Sequence, residues 1–240
     1  FPGLNLTYET REGILKHCSQ KNALALGELG QRFIKKNKPS LEAQIANIAD
    51  EIAYNNHDID DGLRANLLNI DLLRESKFIE RNYGEVVKKW KDLNDRQIRH
   101  EIVRRMIDFI VSDLIETSKD LISKYKPASV DSVRECGKSL IKMSQTTEKE
   151  HNNLKKILRK NLYQHEQVNL MSQRATETVK YLFNIYMEQP IFLTNELHMK
   201  ITKDSRIKDE HRKVRIIADY IAGMTDRFAF SEYKRINENK

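Results

Sequence analysis

The chain has 240 residues, 39% hydrophobic and 32% charged, with 42 Lys and Arg against 35 Asp and Glu for a formal charge of +7. That is enough apolar material for one large domain or two small ones, and it excludes a disordered polyelectrolyte. Eight glycines and four prolines are too few for the turns of an all-β fold, and no apolar run reaches the length of a membrane span.

Residues Phe1 to Leu6 read as extended, because Pro2 and Gly3 break regular structure. Thr7 is placed to cap a short helix that runs to about His17, with carboxylates in its first turn. Residues 19–37 are ambiguous. Pro39-Ser40 marks a helix start, with Ser40 as N-cap. Leu41, Ile45, Ile48 and Ile52 then recur at helical spacing to about Asn56, and Gly62 falls in the following turn. A long helix is expected from Asp95 to Tyr125, where Ile98, Ile102, Met106 and Ile110 form an apolar stripe and Pro127 closes the element. Residues 128–145 read as an irregular connector with a short extended stretch over Ser139 to Met143. Helices follow over Thr147–Asn161 and Gln164–Met187, ended by Pro190. Thr202 to Glu210 reads as a polar loop, and a last helix spans His211–Phe228. The fold class is therefore all-α.

Cys18 and Cys136 form no CxxC pair and no framework, which fits a reducing compartment. No signal-peptide pattern opens the chain, so the expected setting is cytoplasmic. The first residues are Phe1-Pro2-Gly3 rather than a methionine, as in a chain that starts inside a longer protein or has been processed. The positive charge suits an anionic partner, and equally suits an ordinary solvated surface.

One stretch carries chemistry. If Ile48 to Asp58 is helical, Asp50, Tyr54 and Asp58 stand at i, i+4 and i+8, with His57 at i+7, and all four project to one side. Ile45, Ile48 and Ile52 occupy a neighbouring face and pin the helix to a core. An acidic, hydrogen-bonding strip on a buried or half-buried helix needs a cation or donors, and carboxylate oxygen with imidazole nitrogen suits a divalent metal. An exposed polar face satisfies the same spacing.

The run Ala49-Asp50-Glu51-Ile52-Ala53-Tyr54-Asn55-Asn56-His57-Asp58-Ile59-Asp60-Asp61-Gly62-Leu63-Arg64 resembles the hallmark of the dGTPase-like deoxynucleoside triphosphate triphosphohydrolases of the HD superfamily. The block from Gly3 to His17 resembles that family's segment upstream of the hallmark, and Asp219 to Ala229 resembles its C-terminal signature. The resemblance implies an HD-domain-like helical bundle, its C-terminal part over 1–125, followed by a C-terminal helical region over 126–240. It implies hydrolysis of a dNTP, such as dGTP, to deoxynucleoside and inorganic triphosphate. It also implies a divalent metal (Mg or Mn) and a homo-oligomer, with single-stranded nucleic acid as an effector in some members. By residue, Asp50 matches the last metal-ligating Asp of the family. Tyr54 and Asp58 match positions that face the nucleotide, and Lys16 lies in a block where a triphosphate clamp is expected. The family's earlier His and His-Asp ligands find no counterpart before Asp50. His57-Asp58 is no substitute, because adjacent residues on a helix diverge. No residue here is singled out as the catalytic acid or base, and the chain alone is expected to be inactive. A non-catalytic helical module for regulation, oligomerisation or nucleic-acid binding is the other class the sequence allows.

Two basic groups complete the reading. Lys155, Lys156, Arg159 and Lys160, with Tyr163 nearby, form either a phosphate-backbone contact or a solvated helix face. Lys88-Lys89-Trp90-Lys91 is either a strand-binding patch or a packing anchor. Asp219, Asp226 and Arg227 are placed for a subunit contact or for the nucleotide.

Overall fold

The computed structural model describes residues 3–15, 18–203 and 210–238. Among them the structure is helical, with no strand. The chain forms two compact units, residues 1–163 and 164–240.

The first unit begins with α1 (Tyr8–Ile14), α2 (Gln20–Ala25) and α3 (Glu28–Lys35). The Thr7 hydroxyl caps α1 by accepting from the Thr10 N–H. His17, the expected end of that helix, lies outside the described residues, as do Phe1, Pro2 and Lys16. The ambiguous stretch is the α2–α3 pair, which turns at Gly27 with φ of 58°.

Helix α4 (Leu41–Arg64) is the central element. Ser40 Oγ accepts from the Ala43 N–H as expected of an N-cap. The helix runs eight residues beyond Asn56, so Gly62 is inside it rather than in a turn. Gly62 is buried, and Leu68 and Leu162 pack against its bare backbone so closely that a side chain there would force Leu68 to shift. Short α5 (Ile70–Leu73) and α6 (Lys77–Lys89) follow. Helix α7 (Asp95–Tyr125) has the bounds its stripe predicts. Asn94 and Gln97 form a reciprocal capping box, and Lys126, left-handed at φ of 43°, ends the helix before Pro127.

The connector after α7 differs from expectation in two ways. It contains a helix, α8 (Val130–Glu135), and residues 139–143 join no sheet. Their backbone N–H groups go to side chains instead. Gln44 Oε1 accepts from Leu140 and Ile141, at 2.9 and 3.2 Å, and Ser118 Oγ accepts from Lys142 at 3.2 Å. Asp113 Oδ2 accepts from Ser144 at 2.8 Å. The segment is thus stitched to α4 and α7 by side chains rather than by a strand partner. Helix α9 (Gln145–Leu158) continues into a π-helical turn, Arg159–Tyr163. Ile52, Ile59, Phe78, Ile79, Met106, Ile110 and Leu158 form the centre of this unit's core. Each such side chain contributes roughly 1.5–3 kcal/mol through removal from water.

The second unit contains α10 (Glu166–Glu188), a 3₁₀ turn at Pro190–Phe192, α11 (Asn195–Lys203), α12 (Glu210–Ala222) and α13 (Asp226–Glu238). The loop expected over Thr202–Glu210 lies mostly outside the described residues, and Thr202 and Lys203 close α11. The single last helix expected to Phe228 is two. The chain breaks after Ala222, at Gly223-Met224-Thr225, and restarts at Asp226. Leu182, Ile185, Tyr186, Ile217 and Ile236 make this unit's core.

Helices α2 and α3 approach closely at Gly30. A Cβ on Gly30 would stand 1.8 Å from the Ala23 carbonyl oxygen. Gly30→Ala is expected to destabilise the first unit by about 3 kcal/mol, read as a lowered urea midpoint. An unchanged midpoint would mean the two helices do not meet there.

Candidate functional site

The core contacts of α4 set its rotation. Ile52 and Ile59 are buried at 4% and 1% exposure. They stand opposite Asp50 on the helical wheel, so Asp50, Tyr54 and His57 share the face turned away from the core. Asp50 is exposed, Tyr54 is 60% exposed and Asp58 is half-buried. The three expected residues therefore lie on one stripe of one unbroken helix, but the stripe is largely a surface rather than a buried strip. Lys16 lies outside the described residues.

The stripe is bordered by a polar seam between α4 and α9. Tyr163, aimed by the π-helical turn, donates its hydroxyl to Asp58 Oδ2. Burial, and then the carboxylate beside it, push the Tyr163 phenol above its ordinary pKa. Lys155 Nζ pairs with Glu51 Oε1. Asn55 Nδ2 meets His151 Nε2 at 2.7 Å, both side chains being buried. The Glu51 carboxylate lies 3.4 Å from the same Nε2, and His151 Nδ1 is buried with no partner among the described residues. The sequence singled out Tyr163 and Lys155 only as members of a basic strip. In the structure they are spent on α4, while Lys156, Arg159 and Lys160 remain an exposed face. Asn55 and His151 were missed because nothing in a sequence marks a polar residue as buried.

The opposite border is an open apolar groove of about 720 Å³ between α4 and α7. Ile45, Ala49 and Ala53 of α4 face Ile107, Val111 and Ile115 of α7 across it. His57 lines this groove while Asp58 turns to Tyr163. The two side chains diverge, as adjacent positions on a helix must.

Among the described residues no three His, Cys, Asp or Glu side chains are grouped to hold a metal ion. Asp50 and Asp58 are separated by roughly 12 Å along the helix axis. The described donors therefore do not by themselves fit a closed divalent-metal site. Elsewhere, Trp90 packs on the first unit's core under Lys89 and Arg105, and is an anchor. Exposed Asp219 accepts from Arg215 Nε at 2.8 Å within α12.

His151 gives the seam a pH dependence. Burial lowers its pKa, opposed by Glu51 and assisted by Lys155. The unfolded imidazole titrates near pH 6.5. Stability from neutral His151 is thus complete above that pH and is lost as pH falls below it, at up to about 1.4 kcal/mol per unit. Urea midpoints at pH 5.5 and 7.5 should differ in the wild type, and His151→Gln should reduce the difference. An equal difference in the variant would assign the acid sensitivity to other groups.

Comparison with known proteins extends the picture beyond α4. The family described as the phosphohydrolase-associated domain matches residues 141–235. The chain is similar to deoxyguanosinetriphosphate triphosphohydrolase-like proteins. It is 44% identical over 238 residues to that of Bordetella pertussis, covering 99% of the chain and 60% of the relative. With the Nitrosomonas europaea protein the identity is 45%, over 98% of the chain and 61% of the relative. With that of Ralstonia pickettii it is 43%, over 98% and 59%. The chain spans about three fifths of the length of the curated relatives it matches. Similarity of this degree along nearly the whole chain makes it a homologue of the deoxyguanosinetriphosphate triphosphohydrolase-like proteins, and its C-terminal part matches the phosphohydrolase-associated domain.

Proposed function

We propose that this chain is part of a metal-dependent dNTP triphosphohydrolase, which releases deoxynucleoside and inorganic triphosphate, with dGTP as a candidate substrate. The observation that carries the reading is the α4 stripe, in a chain 44% identical to proteins named for that activity. Asp50 supplies one anionic oxygen ligand for a divalent cation, Mg or Mn. Two groups of the stripe face a nucleotide without needing the cation. The Tyr54 ring, 60% exposed, offers an apolar face and a hydroxyl to a sugar. Asp58 offers carboxylate oxygens to a sugar hydroxyl, steadied by the Tyr163 phenol. Lys16 remains the proposed triphosphate clamp. The apolar groove beside Asp50 leaves room for further protein to approach the carboxylate, and the reading places the other metal ligands there, outside these 240 residues. A cytoplasmic homo-oligomer is part of the same proposal, as is a single-stranded nucleic acid effector on the Lys156, Arg159 and Lys160 face.

One carboxylate does not hold a transition metal against water. The 240-residue chain incubated with dGTP and manganese is therefore expected to release no triphosphate. In the longest natural form of the protein, Asp50→Ala is expected to lower triphosphate release by at least about 100-fold with little change in unfolding midpoint. Release by the short chain, or undiminished turnover in the variant, would overturn the assignment of Asp50.

A further inference from the structure

One turn before Asp50, on the flank of α4 that carries Asn47 and Glu51, lies a second cleft, of about 380 Å³. Its cationic members are Arg32 of α3 and Lys36 and Lys38 of the segment after it. Arg32 is the unusual one. It is only 7% exposed, yet its guanidinium makes no ion pair among the described residues. Nη2 donates to the Leu15 carbonyl, the guanidinium lies 4.3 Å from the Phe33 ring centroid, and Nε is buried with no partner. Glu12 lies near enough to favour the charge, but its carboxylate is taken by Arg134 and by the Ser40 N–H. Burial consequently holds the Arg32 pKa below the ordinary guanidinium range.

A buried cation without a bonded counter-charge is costly, and a single anion in contact would offset the cost. The rest of the cleft points to the same class of ligand. Neither Lys36 nor Lys38 has an ion pair among the described residues, and Asn47 Oδ1 is buried without a partner beside them. Glu51, the only carboxylate lining the cleft among the described residues, is engaged by Lys155. Three cations thus face one neutralised carboxylate.

We propose that this cleft is a polyphosphate subsite, with Arg32 at its floor and Lys36 and Lys38 at its rim. The inference rests on the nucleotide reading of the α4 stripe and names a phosphate-binding surface for it. The ligand is a run of phosphates, carried either by free triphosphate or by a nucleotide.

Calorimetric titration of the 240-residue chain without metal tests it, using inorganic triphosphate, dGTP and deoxyguanosine as separate probes. Triphosphate and dGTP should both bind, more weakly as salt rises, and deoxyguanosine should not. The double variant Lys36→Glu/Lys38→Glu should weaken triphosphate binding by about 10-fold or more. The charge-matched double variant Lys77→Glu/Lys149→Glu, at two exposed lysines away from the cleft, should leave it unchanged. Arg32→Gln should weaken it as well, and the lysine pair keeps the test open if that variant does not fold. No triphosphate binding, or equal weakening by both lysine pairs, overturns the subsite. Neither result touches Asp50, whose role stands or falls on turnover.

Discussion

Everything in the first unit that bears on function follows from how α4 is rotated against the core. Ile52 and Ile59 are fully packed, and Gly62 lets Leu68 and Leu162 close onto the helix backbone. With those contacts made, a rigid 24-residue helix has no freedom left about its axis. Asp50 and Tyr54 must then face outward. Glu51, Asn55 and Asp58 must face α9, and Ala49 and Ala53 must line the groove against α7. A one-residue change in the helix period would exchange these faces by about 100°.

The seam with α9 is held by polar contacts, which makes it specific but exacting. A buried polar group left without a partner costs about 1–3 kcal/mol, so each member depends on its neighbour. Glu51 serves Lys155 and approaches His151, Asn55 serves His151, and Asp58 serves Tyr163. The π-helical turn belongs to this scheme, since it carries Tyr163 onto Asp58. At the other end of α4, buried Glu12 binds Arg134 of α8 and the Ser40 N–H at the N-cap. The block that resembles the family's upstream segment is in this way tied to the hallmark helix by a carboxylate rather than by apolar packing alone.

How much of this was legible follows from what each signal is made of. Caps and breakers are local, so Ser40, Asn94 and Pro127 mark their helix ends correctly. The stripe of α7 is local too, and its limits hold at Asp95 and Tyr125. Short α2, α3 and α8 lack the length for a readable period, and α8 sits where an irregular connector was expected. The break between α12 and α13 was missed because Met224 is apolar and continues the pattern across Gly223. The alignment of Asp50, Tyr54 and Asp58 is a property of helical spacing and was readable. Their exposure was not, because which side of an amphipathic helix meets the core depends on residues far away in sequence, such as Met106 and Leu158. The partners Tyr163 and His151, about one hundred residues downstream, are hidden for the same reason.

Asp50 of α4 and Arg32 of α3 also differ in physical kind. Asp50 is exposed, so its charge costs the fold little. Arg32 is the reverse. Its charge is held out of water by α3 and its surroundings, with a carbonyl and an aromatic ring as its contacts and the nearest carboxylate engaged elsewhere. Burial cost that the fold does not itself offset tends to mark function more reliably than exposed charge does, because exposed charge is the default state of a protein surface. Arg32 is therefore the group whose environment most requires a ligand to explain it, and Asp50 is the one whose meaning depends on the proteins the chain resembles.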